Sequence, residues 1–409
     1  AIISGKSMNI LMLTYEVVDE GGNFIRCFSL AKNLVKLGHK VTLLVSNKTP
    51  GLRERKIIRQ GVVVIEIACP LPHRIRHNGT SPFQIIGRIV HVLRNSYDLV
   101  HGFGHRPSVF LPAIFYSIVF RKPYVADWAD LWGWGGLASY RGGIWGTIIG
   151  GLDDLLEKFV YRCCNGVTVI SSALFRRAVG IGVLRNQIAI ISPGSSTDEI
   201  MPLSKIVQRK KYGFSPYDHI LVYVGNAPYD AHLFGQIVLE VLKRDNKALA
   251  IIIGRRMEKF DRTVEASEYV HRIRQYGFID HRNLAPLLAC GDVMVLPYTN
   301  REINTNRYPN KIGDYLASGR PIVTNPTGDL ARLFNDYHIG AVASESPVGF
   351  SRVIMRLLKD TKKRRLMGRA ARRLAEGEFS WRRSAESLCT FYVSILEEYH
   401  STSTLSIAA

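Results

Sequence analysis

The stretch Asn306–Thr324, NRYPNKIGDYLASGRPIVT, sets a polar loop, a lysine and a carboxylate at the mouth of a helix, ahead of a Gly-Arg-Pro turn and a β-branched strand. In a parallel α/β sheet, ligands bind beyond the carboxyl ends of the strands, where helix N-termini and loop amides converge. Phosphate is the chemistry this suits, and Tyr308, Pro309, Asn310, Lys311 and Asp314 are candidate residues of the ligand site as a whole. The alternative is an ordinary helix with Lys311 and Asp314 as an i,i+3 surface pair. Gly21 and Gly22 follow the first apolar run directly; without Cβ atoms they can bring amides close to a diphosphate, although a tight turn alone also explains them. Asp127 and Asp130 stand among three tryptophans in VADWADLWGWGG, a setting in which carboxylates can hold ligand hydroxyls while a ring face stacks. Against this, Asp127 can cap a helix, and Trp128 reads as core. His101 and His105 rank below Asp130, since a lone histidine is usually structural.

These residues need a scaffold of parallel strands. Met8 to Val45 reads as a near-continuous apolar strand, a glycine loop, an amphipathic helix ended by Gly38 and a second strand, hence a βαβ unit. Strands are expected at Val62–Ile67, Asp98–His101, Pro123–Ala126, Gly166–Ile170 and Gln187–Ile191. The run ISPGSSTDEIMP then breaks the pattern. It resumes with His219–Val224, a helix near Ala231–Arg244, Ala248–Ile253, a strand near Tyr276–Phe278, a helix from Arg282, Asp292–Pro297, a helix opening near Asn310, Pro321–Thr324 and a helix from Gly349. The tail from Thr361 to Glu398 reads as helix interrupted near Gly377–Trp381. Domains are expected at 8–200 and 201–380, with 381–400 a helix crossing back to the first.

The size agrees: 409 residues with 46% hydrophobic content and 35 glycines exceed what one core holds. Fifty-four basic against thirty-four acidic residues give a charge of +20, which favours an anionic partner without choosing among nucleotide, phospholipid surface and nucleic acid. The six cysteines lack CxxC spacing, so zinc and redox sites are unsupported and a reducing, cytoplasmic compartment fits. The longest apolar run, Val109–Phe120, has twelve residues where a bilayer takes about twenty. No cleavable signal is read before Met8, and the residues ahead of it read as an expression remnant.

In order and spacing the chain from Met8 to Tyr399 resembles the family 4 glycosyltransferases. The resemblance rests on Gly21–Gly22, GVTVISSALFRRAVGIGVLRNQIAIISPGSS, Gly225, the strand end IIIGRR, YGFIDHRNLAPLLACGDVMVLPY, the acidic-helix stretch and the terminal FSW. It implies the GT-B architecture: two Rossmann-like parallel-sheet domains facing a cleft, with a C-terminal helix returning to the first. It also implies retaining transfer from a nucleoside diphosphate sugar, a UDP-sugar favoured, to a hydroxyl acceptor on a glycan or lipid-linked, with the donor mainly on the second domain. The family's two signature glutamates match Asn306 and Asp314, the first position facing the donor sugar and the second the nucleotide ribose. Asn306 carries no charge and Asp314 a shorter stem. After Gly225 the chain has Asn226, Ala227 and Pro228 where many members carry a cation clamp. Arg255, Arg256 and Lys311 are the substitutes, the arginine pair being equally readable as solvated loop charge. Ile279 falls in a matched binding stretch. Asp130, Asp127 and Asn306 are thus the candidates nearest the chemistry.

No permanently bound cofactor and no metal are expected, because Asp153-Asp154 lies within a helical pattern. Nucleic-acid binding lacks interleaved basic and exposed aromatic residues. A catalytically silent GT-B binding or scaffold protein, and a nucleotide-sugar epimerase, are the alternatives. The segment Ser81–Arg94 sets Gln84, Arg88 and His91 on one face among apolar residues, and Arg352–Leu374 carries ten Lys or Arg in twenty-three residues. Both suit peripheral docking on an anionic inner leaflet, the basic groups meeting lipid phosphates; sheet packing and a solvated face are the alternatives.

Overall fold

The computed structural model describes residues 7–226 and 229–407; Ala1–Lys6, Ala227, Pro228, Ala408 and Ala409 lie outside the described residues. The chain forms two α/β units. One runs to Pro193 and takes in Asn306–Tyr308 and the segment from Trp381 on; the other holds Gly194–Thr305 and Pro309–Ser380.

The first unit is built on an eight-stranded sheet, β1 (Asn9–Val17), β2 (Lys40–Ser46), β3 (Arg55–Arg59), β4 (Val62–Ile67), β5 (Leu99–Phe103), β6 (Tyr124–Trp128), β7 (Gly166–Val169) and β8 (Ile188–Ile190), in the order β3-β4-β2-β1-β5-β6-β7-β8. All neighbours pair in parallel except β3 with β4. That antiparallel edge was not expected. Arg55, Lys56 and Arg59 hide the strand pattern of RKIIR, and the turn that reverses it is only Gln60–Gly61, with φ of 48° and 81°. The crossovers include α1 (Gly22–Lys36), α2 (Pro82–Arg94), α3 (Pro107–Phe120) and α4 (Gly143–Arg162). Strands covered on both faces need apolar residues throughout, which is why NILMLTYEV reads as one run.

The C-terminal helix, Trp381–Ile407, packs on α1, and its Trp381, Leu388 and Tyr392 share a core with Phe24, Leu34 and Val45. The expected return to the first unit is therefore present. Tyr392 also meets the His101 ring at 2.6 Å, and His101 reaches Thr168 at 3.2 Å; burial lowers this histidine to about 3, so it is a neutral core residue.

The second unit has β9 (His219–Val224), β10 (Ala248–Ile253), β11 (Ile273–Tyr276), β12 (Val293–Leu296), β13 (Ile322–Thr324) and β14 (Gly340–Val342) in the order β11-β10-β9-β12-β13-β14, all parallel. The strand near Tyr276 ends there instead of starting there, and the helix expected from Arg282 is a short turn, His281–Asn283, before Ala285–Cys290. Helix Asp329–Tyr337 and β14 had no sequence counterpart. α5 (Lys311–Ala317) opens after Asn310, as the signature predicts. Asp360, accepting from Lys363 N at 2.8 Å, breaks the basic stretch into Pro347–Lys359 and α6 (Thr361–Glu376). Among the described residues no helix is long and apolar enough to cross a membrane.

Asp127 is a strand residue, not a helix cap. It lies in β6, accepts from Arg26 Nε at 3.0 Å and Nη2 at 2.8 Å, takes Thr168 Oγ1 at 2.6 Å, and is buried together with that arginine. Removing one partner strands a buried charge, so Arg26→Ala is expected to cost about 3–5 kcal/mol of unfolding free energy, whereas a joint apolar replacement of Arg26 and Asp127 recovers most of it. Urea denaturation checks this; an unchanged midpoint in Arg26→Ala would show the pair to be structurally idle.

Candidate active site

In the second unit the candidate site forms at the carboxyl ends of β9 and β10. Gly225, after β9, has φ of 102°, and Gly254, after β10, has φ of 139°. The two backbones touch: a Cβ on Gly254 would stand 2.5 Å from the Gly225 carbonyl oxygen. A Cβ on Gly225 would meet Lys311 Nζ at 3.0 Å, so the lysine head lies directly over this bare backbone. Tyr223 fixes it there. Lys311 Nζ donates to the Tyr223 hydroxyl at 2.8 Å and sits 4.3 Å from the centre of that ring. The arrangement presents an ammonium beside the start of α5, where anions are favoured.

One turn into α5, Asp314 accepts from the His281 imidazole at 2.8 Å, and the other ring nitrogen of His281 meets Glu199 at 2.9 Å. Burial works against charging this ring, but Asp314 and Glu199 outweigh it and raise His281 to about 10. At neutral pH the imidazolium therefore donates from both nitrogens and fixes the Asp314 carboxylate. Tyr315, next along, donates to Val295 O at 3.3 Å and accepts from Val224 N, tying α5 to β9 and β12.

The other cations named from sequence behave differently. Arg256 pairs with Asp261 at 3.0 Å and Glu265 at 3.6 Å, and both Arg255 and Arg256 are exposed. Asn226 is exposed, and Ile279, Pro309 and Asn310 are partly buried. Asn306 and Tyr308 are buried and belong to the first unit, where the Asn306 carbonyl accepts from Ser171 Oγ at 2.6 Å.

In the first unit, Gly21 precedes α1 with φ of 87°, and Glu16 fills the space where a Cβ would project. The Glu16 carboxyl accepts from Phe24 N at the start of α1, while burial, aided by Asp130, pushes it up to about 8 against the Phe24 and Asn23 amides. Gly22 is exposed as the first residue of α1. Asp130 is also raised, by burial first and then by Asp127, with Arg307 and Arg26 opposing. It is partly exposed, unlike Asp127, whose oxygens are committed to Arg26 and Thr168. Trp128 is core: it stacks on Tyr161 and donates to Glu157 at 2.8 Å.

Sequence reasoning assigned no role to Glu16, Tyr223, Glu199 or His281. Only His281 left a signal, by lying inside the matched stretch YGFIDH. Among the described residues Glu20, His73 and His77 approach with metal-ligand chemistry, but the two ring centroids lie 3.6 Å apart with their planes tilted by 35°, and Lys48 stands 3.9 Å from Glu20, the geometry of a surface ion pair. A cavity of about 840 Å³ lies along the C-terminal helix, lined by His39, Arg382, Glu386 and Cys389 among others, and includes none of the candidate residues.

Comparison with known proteins agrees with the fold. The model described as "Glycosyl transferase 4-like domain" matches residues 22–194, and "Glycosyl transferases group 1" matches 218–360. The chain belongs to the glycosyltransferases of GT-B fold. A D-inositol 3-phosphate glycosyltransferase of Nocardia farcinica is 25% identical over 235 residues, 54% of this chain and 50% of that one. The chain thus spans about half the length of the curated relatives it matches. Among solved structures, sucrose-phosphate synthase from Thermosynechococcus elongatus aligns with a TM-score of 0.75 at 16% identity, covering 96% of this chain and 100% of that one. Anabaena HepE in complex with UDP and glucose aligns at 0.66 and 14%, covering 97% and 99%.

The raised His281 yields a pH test. Its folded value of about 10 exceeds the ordinary 6.5, so its contribution to stability is complete below pH 6.5 and is lost as pH rises through 10. The stability advantage of the wild type over His281→Gln should shrink across that window in thermal denaturation. Parallel curves would mean that the imidazolium is not held by Asp314 and Glu199.

Proposed function

We propose that the protein transfers a sugar from a nucleoside diphosphate sugar, a UDP-sugar by preference, to an acceptor hydroxyl with retention at the anomeric carbon. The observation that carries this reading is the Lys311 ammonium held over the bare Gly225 backbone by Tyr223, one turn before a carboxylate fixed by His281. A diphosphate suits the ammonium and the start of α5, and a ribose suits Asp314, which can accept hydroxyl hydrogen bonds. In the reaction the bond between the anomeric carbon and the phosphate oxygen breaks and the acceptor oxygen takes its place. The hydroxyl proton leaves with the departing diphosphate, whose charge Lys311 and the helix dipole stabilise where it develops.

Arg256, engaged by Asp261 and Glu265, is a weaker substitute for the missing clamp, so the reading rests the diphosphate on Lys311. Asp130, partly exposed, is the carboxylate of the first unit best suited to a sugar hydroxyl, and Asn306 retains hydrogen-bonding capacity for the donor sugar. The similarity to a protein solved with UDP and glucose supports the uridine preference. The acceptor is read as a glycan or lipid-linked hydroxyl, met at an anionic membrane surface from the cytoplasmic side.

Asp314→Ala should weaken binding of the preferred donor by roughly 1.5–3 kcal/mol in calorimetry, with the fold intact. Unchanged affinity in a folded variant would remove Asp314 from the site. Lys311→Ala should lower kcat/KM far more than it lowers the melting temperature. If its kinetics match the wild type while Arg255→Ala/Arg256→Ala is impaired, the diphosphate belongs to the arginine pair.

A further inference from the structure

Three neighbouring helices of the first unit turn large apolar side chains to solvent. On α2, Gln84, Arg88 and His91 point inward: Arg88 donates to Ser108 O and Thr14 O, Ser46 donates to Gln84 at 2.9 Å, and His91 meets the Tyr97 hydroxyl at 2.8 Å. The expectation that these groups meet lipid phosphates is overturned, because the outward face carries Phe83, Ile86 and Leu93 instead. α3 has no charged residue, and Ile118 is 73% exposed.

α4 shows the inversion most fully. Its three acids are buried: Asp153 faces Arg106 and Arg141, Asp154 and Glu157 hold the backbone of the loop 132–134. Its solvent side instead bears Ile144 (74% exposed), Trp145 (73%), Ile148, Leu152, Leu155 and Phe159. From Ile144 to Phe159 that stripe runs about 22 Å at the helical rise. α2 packs on α3, and the Phe110 and Phe159 rings meet at 6.4 Å, joining α3 to α4 in one surface. An apolar patch of this extent on a soluble unit marks an interaction site.

Charge selects the occupant. α2 and α3 contain no acid and those of α4 are turned inward, so no exposed acidic side chain stands on the three helices. Arg94, Arg121 and Arg162, all exposed, stand at or just past the three helix C-termini. Because successive crossovers of one hand place those termini along one edge of the sheet, the surface is apolar with a basic border. We propose that the outward face of α2, α3 and α4 docks on an anionic lipid bilayer, its aliphatic residues and Trp145 entering the interface and the arginines meeting lipid phosphates. This deepens the membrane part of the proposed function and does not depend on the donor assignment.

Sedimentation with phosphatidylcholine vesicles, with and without phosphatidylglycerol, tests it. The wild type should pellet with the anionic vesicles and be released by salt. Ile144→Ser/Trp145→Ser/Ile148→Ser, with its fold confirmed by circular dichroism, should bind at least roughly 30-fold more weakly. Brominated lipid should quench wild-type tryptophan fluorescence, and Trp145→Phe should remove most of that quenching while still binding. Undiminished binding by the folded triple variant would overturn the proposal. So would a wild-type dimer in light scattering that the triple variant converts to monomer, which would assign the face to a second copy. Failure to bind UDP would instead count against the donor reading alone.

Discussion

The candidate site depends on the contact between two stretches of bare backbone, Gly225 and Gly254. No Cβ fits between them, and both adopt φ values that side-chain-bearing residues rarely take. Their closeness fixes the crossover ends of β9 and β10 and leaves room above Gly225 for a lysine head. Lys311 can fill that room only because Tyr223, one residue from the end of β9, turns its hydroxyl toward it, and because α5 begins at Lys311 itself. Each part has an ordinary local reason; their convergence makes the charge available to an anion.

The same logic separates the two carboxylates of VADWAD. Asp127 is spent on the fold, its oxygens taken by Arg26 and Thr168, while Asp130, three residues on and past the strand end, keeps partial access to solvent. Glu16 and His281 show opposite outcomes of burial. Glu16 meets amide donors and, among the described residues, no cation, and is driven toward its neutral form; His281 lies between two carboxylates and is driven toward its charged one.

Local pattern made much of this legible. Val62–Ile67, His219–Val224 and Ala248–Ile253 were bounded correctly because apolar runs flanked by turn residues leave little choice. Lys311 and Asp314 were legible because their spacing within one short helix is itself the signal. What stayed hidden was non-local. Tyr223 lies 88 residues from Lys311 and His281 lies 33 from Asp314, so no spacing announces either pair. Periodicity also gave α2 a polar and an apolar face without saying which faced the sheet. Burial of Arg88 against backbone carbonyls reversed the usual order, and that is a tertiary fact.

The central claim is that a nucleoside diphosphate binds at the carboxyl ends of β9 and β10, with its phosphates on Lys311 and its ribose on Asp314. A crystal structure of the protein with UDP tests it most directly. The account predicts a diphosphate within hydrogen-bonding distance of Lys311 Nζ beside Gly225, and ribose hydroxyls on the Asp314 carboxylate. UDP held elsewhere, with the Lys311–Tyr223 pair untouched, would contradict it.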